Sequence, residues 1–368
     1  MSQASPSAPK RQLQMDGMRA MALLFVLVHH FGGPFLNHLN LGPFGVRFFF
    51  VVSGFLVTRI LLKTRGKLDN GESSRWKELG NFQIRRLMRT LPAYYLSLLI
   101  AAAIGITPVR ETLGWTLTFL TNFYIASVGY FPATISHFWT LAVQEQFYLF
   151  WPLIVLFLPG AWMKFTFPGL ILTSLVFRYY CIATDASYLV RWFNVLGNLD
   201  TFAAGGILAY ASMKNPALIV ERKTRLWSGA VAFLCLFVAV AMRPLSLDNP
   251  LSILIELFES VFMGWLVACS VTGFRGWVGK ILSWHPLAYL GQVSYGVFVY
   301  HVLISILLLP VFVHFGGGGE DAVSIVVRFF VQSLLSILAA SLSWLFFEQP
   351  LLQARKKIET WFLPKRDV

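Results

Sequence analysis

Cysteine and charged residues are both scarce in this sequence. Its three cysteines, Cys181, Cys235 and Cys269, stand far apart in separate apolar stretches, which excludes a Cys-x-x-Cys or Cys/His metal motif and favours a packing role. Charged residues make up 13% of the 368 residues and hydrophobic residues 57%, with a mean hydropathy of +0.65. So little polar surface cannot coat a soluble globule of this length. The composition therefore indicates an integral membrane protein.

Acidic residues are scarcer than basic ones, with 17 against 30 and a net charge of +13. Such an excess can indicate a nucleic-acid partner, but most lysines and arginines here lie on one side of the predicted membrane spans. The excess is therefore mainly topological, and we expect both termini in the cytoplasm. A further role in binding phosphate stays open for the basic loop of residues 59–89.

Ten apolar stretches are each long enough to cross a bilayer core of about 30 Å. They are residues 17–36, 43–62, 91–109, 137–158, 166–184, 193–211, 226–244, 250–271, 287–311 and 322–347. A further stretch, Leu113–Val128, is interrupted by Thr121-Asn122 and ends at Gly129, which predicts a re-entrant or interfacial piece.

The chain has no internal repeat, so we predict one all-α membrane domain over residues 15–350 with about ten transmembrane helices. A cytoplasmic tail of residues 1–14 precedes it in this prediction, and a basic cytoplasmic tail of residues 351–368 follows it. The first apolar stretch is too long for a signal-peptide core and predicts an uncleaved anchor.

Two ionisable residues, Arg19 and His30, lie inside the first predicted span. Eleven residues of α-helix turn through about 1100°, so the two side chains should point the same way, about 16 Å apart along the axis. Ionisable groups at membrane depth usually face a polar cavity and mark a functional site. The first helix is therefore predicted to form a wall of a reaction chamber.

Six short motifs follow one another along the chain. They are Met15–Ala20 with His30 at Arg-x10-His spacing, Gly45–Leu56, Arg85–Pro92, His137–Tyr148, Ser294–His301 and Phe347–Pro350. In this order they resemble the membrane-bound acyltransferase-3 family, from about Gln14 to Pro350.

The resemblance implies an O-acyltransferase of the bacterial inner membrane. It would take an acyl group, commonly acetyl, from cytoplasmic acyl-CoA and deliver it to a hydroxyl of an extracytoplasmic glycan such as lipopolysaccharide O-antigen, exopolysaccharide or peptidoglycan. Small-molecule acceptors are an alternative. Some members carry a hydrolase-like domain after the membrane part, and we expect the membrane part alone in a sequence that ends at Val368. No pattern indicates a metal site.

His30 is the predicted general base. A sugar hydroxyl that attacks a thioester needs a base that is neutral near pH 7, and a histidine shielded from water has its charged form disfavoured. The resemblance also implies an essential histidine at His30, whereas His29 is rotated about 100° away and is interpreted as a packing residue. A transient acyl-histidine is the alternative mechanism.

Four arginines are predicted to bind CoA, because guanidinium groups suit phosphate oxygens. They are Arg19, Arg85, Arg86 and Arg89. For Arg19 the alternative is an ion pair with Asp16 at i−3, and for the other three it is a positive-inside cluster at a membrane boundary. Pro92 would suit an early turn of the third span.

Ser53 and Glu145 are further predicted catalytic residues. Ser53 could donate a hydrogen bond to a thioester oxygen as negative charge develops there, while helix packing is the alternative for Ser53-Gly54. The sequence around Ser53 lacks Gly-x-Ser-x-Gly, which disfavours a serine-nucleophile triad. Glu145 is interpreted as an orienter of histidine or arginine, and Gln144 stands where the family usually has a glutamate.

The outer half of the predicted bundle holds the candidate acceptor-binding residues Arg47, His137, Glu256 and Glu259. Arg47 replaces a common acidic residue of the family and is expected to contact an anionic acceptor or to pair with a carboxylate. Glu256 and Glu259 are expected to meet Arg178 and Arg328, either as interhelical ion pairs or as a polar vestibule for the acceptor.

Six residues are secondary candidates, structural or functional: Asp16, Asp200, Ser294, Tyr295, His301 and Glu348. Glu348 is expected to pair with the arginines before the third span. A transporter or flippase is the alternative from another functional class, but the spans show no matching pair of broken helices in two halves.

Overall fold

The computed structural model describes residues 10–353 except residues 38, 40 and 320, and the described residues form helices and no strand. Most of the two predicted tails, residues 1–9 and 354–368, lies outside the described residues. The first helix begins at Lys10, five residues before the start of the predicted membrane domain at residue 15.

Ten long helices occupy the places of the ten predicted spans. They are α1 (Lys10–Phe31), α2 (Leu41–Asp69), α3 (Arg75–Ala103), α4 (Phe138–Phe157), α5 (Met163–Ala183), α6 (Leu199–Lys214), α7 (Arg222–Met242), α8 (Ile255–Thr272), α9 (Ser294–His314) and α10 (Ala322–Ser343). Short helices join them at Gly33–Asn37, Thr107–Glu111, Leu113–Leu117, Thr121–Val128, Tyr188–Phe193, Ala217–Val220, Gly276–Leu282 and His285–Gln292. Single turns of other helix types lie at Gly160–Trp162, Leu196–Asn198, Pro250–Leu254 and Trp344–Glu348.

Seven of these helical segments are long and apolar enough to cross a membrane, so the chain is a multi-pass membrane protein. The seven include α2, α4, α5, α7, α8, α9 and α10. In α1 and α3 the ionisable residues lower the hydropathy, and α6 has only 16 residues. Ten crossings and cytoplasmic termini stay predictions.

The stretch Leu113–Val128 is broken, as its sequence predicts. It forms two short helices, and between them Phe119 takes a positive φ of 55°. Neither helix has the length of about 20 residues that a crossing requires.

The third span begins earlier than predicted. Ser74 caps α3 by accepting a hydrogen bond from the Lys77 amide, and the helix then continues through the arginines to Ala103. Pro92 therefore lies inside the helix, where its missing N–H removes one backbone hydrogen bond, and not in a first turn. The arginines of this region consequently lie on a rigid helix and not in a loop.

The core is held by close helix crossings around α2. Gly54 of α2 touches the backbone of Phe202 in α6, and Gly205 of α6 touches the backbone of Val51, so a Cβ at either glycine would collide with a carbonyl oxygen. Aromatic rings extend this contact to α4, because the Phe147 and Phe202 rings stack with centroids 4.0 Å apart. These crossings fix the positions of α2 and α4, which line the site.

Candidate active site

A cavity of about 590 Å³ lies among α1, α2, α3, α4 and α9. Along α2 its lining extends from Val46 to Thr64, about 27 Å at 1.5 Å per residue. All four predicted CoA-binding arginines line it: Arg19, Arg85, Arg86 and Arg89. Towards Val46 the wall becomes largely apolar, with Phe49, Phe50, Leu141 and Phe298. Such a cavity suits a long ligand with an anionic part and a less polar arm.

Arg86 and Arg89 have guanidinium groups that are not held by carboxylates. Arg86 lies over the ring of Tyr148, 3.7 Å from its centroid, and its buried Nε has no hydrogen-bond partner within the described chain. Arg89 is exposed to the cavity, and in the described residues neither arginine has a carboxylate oxygen within 4.0 Å. Arg85 is 4.0 Å from Glu78 and 41% exposed. The cavity therefore offers positive charge to an anion.

Arg19 makes the predicted ion pair with Asp16 and also lines the cavity, while its binding of CoA stays a prediction. Its Nη1 lies 3.4 Å from a carboxylate oxygen of Asp16, and its Nη2 donates a hydrogen bond to the Ser294 hydroxyl at 3.1 Å. The guanidinium still lines the cavity. The ion pair thus holds Arg19 in place without removing it from the site.

Ser53 lines the arginine region of the cavity, the part whose wall holds Arg19, Arg85, Arg86 and Arg89. Its hydroxyl accepts hydrogen bonds from Tyr148 at 2.7 Å and from Gln144 at 3.3 Å, which leaves its own hydrogen free to be donated to a ligand. Through Tyr148 it is joined to Arg86. The neighbouring Gly54 fits the alternative interpretation, which is helix packing, because it lies at the close contact between α2 and α6.

Glu145 and Tyr295 lie next to Thr90, in the same helix as Arg86 and Arg89. Glu145 lies within electrostatic reach of Arg86 and beside the Thr90 hydroxyl. The Tyr295 hydroxyl donates to the Thr90 carbonyl at 2.7 Å, and Tyr295 also lines the cavity. Glu145 thus lies near Arg86 without pairing with it, and its predicted role as an orienter stays a prediction.

Four histidines form a cluster beyond the apolar end of the cavity. The His30 ring centroid lies 4.7 Å from that of His301 and 5.4 Å from that of His29, and His301 lies 5.2 Å from His137. His301 and His137 are buried, while His30 is exposed. His30, the predicted base, therefore shares a cluster with His301 and His137. From the sequence, His301 is predicted as a secondary candidate and His137 as an acceptor-binding residue.

His30 does not line the same cavity as Arg19. Both side chains meet α9, as the prediction of one common face requires, Arg19 at Ser294 and His30 at His301. Between these contacts stands Phe298, which lines the cavity and places its ring centroid 5.5 Å from that of His301. Among the described residues that line the cavity His30 is absent. Phe298 thus lies between the cavity and the histidine cluster.

The charged residues near Val46 form a buried ion-pair network. Arg47 pairs with Glu259 and lies 3.4 Å from Glu256, while Arg243 reaches Glu259 at 3.0 Å. Arg178 lies 3.6 Å from Glu256. The geometry therefore matches the ion-pair interpretation of Arg47, Glu256 and Glu259.

Two expectations about pairing need correction. Arg328 is expected to meet the glutamates, but it donates to the Gly317 carbonyl at 3.1 Å, because α10 packs against α9. Arg243 meets Glu259 instead, and Arg178 also pairs with Asp200 at 2.8 Å. Glu348 accepts a hydrogen bond from Ser343 at 2.9 Å and borders a small crevice with Arg89, without an ion pair within 4.0 Å in the described chain.

A family model described as an acyltransferase domain matches residues 12–348. The chain belongs to the acyltransferase-3 family. This acyltransferase-3 chain is 27% identical over 365 residues to the Bacillus subtilis protein named "Putative peptidoglycan O-acetyltransferase YrhL", with 92% of the chain and 54% of the relative covered. It is 28% identical to the peptidoglycan O-acetyltransferase OatA of Listeria monocytogenes, with 92% and 55% covered. The chain thus spans about half the length of these relatives, and no solved structure matches it.

Two residues of this acyltransferase-3 site were missed from the sequence. Tyr148 follows Gln144 by four residues, and Phe298 stands four residues after Ser294 and three before His301. On a helix those spacings place each residue on the face of the motif residues beside it. Helical spacing within the motifs is the signal that would have found both.

Proposed function

We propose that the protein is a membrane O-acyltransferase that moves an acetyl group from acyl-CoA on the cytoplasmic side to a hydroxyl of an extracytoplasmic glycan. The observation that carries the proposal is the 590 Å³ cavity, with four arginines on its wall and an apolar arm leading to the histidines. The names of the bacterial relatives support acetyl as the group and a peptidoglycan-like glycan as the acceptor.

The cavity matches acetyl-CoA in charge and in shape. Phosphates would be held by the arginines, whose guanidinium groups form paired, charge-assisted hydrogen bonds to phosphate oxygens. Arg86 lines the cavity, so its guanidinium group is within reach of a phosphate bound there. The pantetheine arm would follow α2 from Ser53 towards Val46, about 10 Å of helix, and bring the thioester to Phe298.

Ser53 and His30 then have separate tasks. Ser53 is joined to Arg86 through Tyr148, whereas His30 lies about 16 Å of α1 beyond Arg19. This separation favours a donor-binding role for Ser53 over hydrogen bonding to the oxyanion. His30 would take the proton of the acceptor hydroxyl, whose oxygen attacks the thioester carbon while CoA leaves as thiolate and then receives that proton.

The test is transfer of label from radiolabelled acetyl-CoA to cell-envelope glycans in membranes that contain matched amounts of each protein. We compare the native chain, His30→Ala and His29→Ala, since His29 is the adjacent ring and is assigned a packing role. Glycan label that persists in His29→Ala and vanishes in His30→Ala supports the proposal.

Two other results would contradict parts of it. A native protein that labels nothing contradicts the donor or the acceptor, and normal labelling by His30→Ala contradicts the assignment of the base alone. Exchange of labelled CoA into acetyl-CoA without acceptor would replace direct transfer by an acyl-histidine intermediate.

A further inference from the structure

His301 is the central ring of the histidine cluster. Its side chain is fully buried, and its ring lies 4.7 Å from His30, 5.2 Å from His137 and 5.5 Å from Phe298, between centroids. Its Nδ1 lies 2.6 Å from the carbonyl oxygen of Phe298. The ring is therefore fixed at one nitrogen by its own helix.

That contact decides which nitrogen carries the hydrogen. A carbonyl oxygen only accepts, so Nδ1 of His301 must be the N–H that donates to Phe298. The neutral ring then carries its lone pair on Nε2, which is buried and has no hydrogen-bond partner in the described part of the chain. A buried acceptor without a donor costs free energy, so its persistence calls for a partner.

Of the two neighbouring histidines, only His30 is free to supply that donor. The Nε2 of His137 lies 3.4 Å from the Val299 carbonyl, so its hydrogen is directed there and its buried Nδ1 is itself a bare acceptor. The His30 ring lies beside His301, at a centroid separation of 4.7 Å that allows two imidazole nitrogens to approach within hydrogen-bond distance. The other histidine next to His30 is His29, whose ring centroid lies 5.4 Å from that of His30.

We propose that His301 is the positioning residue of His30: a turn of the exposed His30 ring within its contact to His301 brings one ring N–H to the bare Nε2 of His301, which accepts its hydrogen bond. This inference rests on the proposed function. The bond fixes the His30 tautomer and leaves its other nitrogen bare for the acceptor hydroxyl, the orienting task that a third group performs for a nucleophile–base pair.

The bond also stabilises His30 at the moment when it becomes charged. The hydroxyl proton moves to the bare nitrogen of His30, the hydroxyl oxygen forms the new ester bond, and the carbon–sulfur bond of the thioester breaks. The imidazolium donates more strongly to Nε2 of His301 than the neutral ring does, because hydrogen bonds from charged groups are stronger. The proton then passes from His30 to the CoA thiolate, so His301 takes part without changing its own protonation.

Two amide substitutions separate this role from packing. The Gln side chain places an acceptor oxygen about where Nε2 of His301 stands, whereas the shorter Asn side chain mimics Nδ1. We expect His301→Gln to retain acetyl transfer within about 10-fold, and His301→Asn and His301→Phe to lose about 100-fold in kcat, as for other orienting partners of functional histidines. The KM for acetyl-CoA should change little in all three, because Phe298 and not His301 lines the donor cavity.

The same pair of substitutions at His29 is the matched control, and there we expect Gln and Asn to behave alike. Equal losses for His301→Gln and His301→Asn, or full activity in His301→Phe, would overturn the inference. An inactive native protein contradicts the proposed function instead.

A second measurement does not depend on activity. In ¹⁵N spectra of histidine-labelled protein in lipid, with the His30 signals assigned by their loss in His30→Ala, the native chain should show one fixed tautomer and His301→Phe an average of two. Identical His30 signals in both proteins would refute the contact.

Discussion

The four arginines that line the cavity differ in how their charge is held. Arg19 is fixed by Asp16 and Ser294, whereas Arg86 lies on the face of Tyr148 with no carboxylate oxygen within 4.0 Å among the described residues. A guanidinium that is ordered by a ring but unpaired with a carboxylate keeps its hydrogen-bond donors for a ligand. Arg86 is therefore the residue whose loss should weaken donor binding most directly.

We expect Arg86→Ala to raise the KM for acetyl-CoA about 10- to 100-fold, since hydrogen bonds to charged groups contribute about 1.5–3 kcal/mol. Arg86→Lys should recover only part of this, because an ammonium lacks the planar fork that matches phosphate. Arg222→Ala at the exposed start of α7 removes the same charge far from the cavity and should leave the KM unchanged. Steady-state acetyl transfer at varied acetyl-CoA measures all three, and an unchanged KM in Arg86→Ala would rule out the contact.

The kinetic effect of replacing Ser53 distinguishes a role in binding acetyl-CoA from a role in stabilising the oxyanion. Loss of an oxyanion donor lowers kcat about 10²- to 10³-fold, whereas loss of a donor-binding contact raises KM. Because Ser53 is joined to Arg86 through Tyr148, we expect Ser53→Ala to raise the KM for acetyl-CoA with kcat within about 10-fold. The same kinetic series measures it, and a large fall in kcat at constant KM would restore the oxyanion role.

At the scale of the helix, hydropathy identifies most membrane spans from the sequence, but it is lowered in the helices that carry the charged residues of the site. Each of the ten predicted stretches overlaps a long helix, but α1 and α3 fall short of a hydropathy criterion because they carry Arg19, Arg86 and Arg89. The early start of α3 follows from the Ser74 cap, a local signal within an otherwise polar segment. The motif residues were found by their chemistry, whereas Phe298 has no distinguishing chemistry, and only its helical spacing from Ser294 and His301 could have singled it out.

The helices α2 and α6 cross so closely that one added methyl group at the contact should destabilise the fold. A Cβ on Gly205 would collide with the carbonyl of Val51, and both contacting atoms belong to the backbone, so neither can turn aside. We expect Gly205→Ala to lower the melting temperature and the amount of folded protein, since overpacking costs about 1–3 kcal/mol. Gly169→Ala in α5, where no atom lies within 4 Å of the added Cβ, is the control and should be neutral or stabilising. Thermal unfolding in detergent measures both, and equal melting temperatures would show that the crossing can relax.

Over the whole molecule, the fold keeps two chemically different spaces apart. On one side of Phe298 lies the arginine-lined cavity, and on the other lie His301, His137 and the exposed His30. A general base next to an acetyl thioester promotes its hydrolysis by water. Phe298, the cavity-lining residue beside His301, is the partition between the two.

This partition predicts a new reaction when it is removed. In Phe298→Ala, water that reaches His30 can be activated by it and attack the thioester, which yields acetate and CoA. We expect acetyl-CoA hydrolysis without acceptor to rise at least about 10-fold, a low bound beside the about 10²- to 10⁴-fold that general acid–base catalysis typically contributes. Ile60→Ala enlarges the same cavity far along α2 from Val46 and should not hydrolyse, and the double variant Phe298→Ala with His30→Ala should return to the native rate. Release of CoA thiol, measured in vesicles without glycan, decides between these outcomes, and hydrolysis that is equal in the two single variants would mean that the cavity opens by size alone and that Phe298 is no barrier.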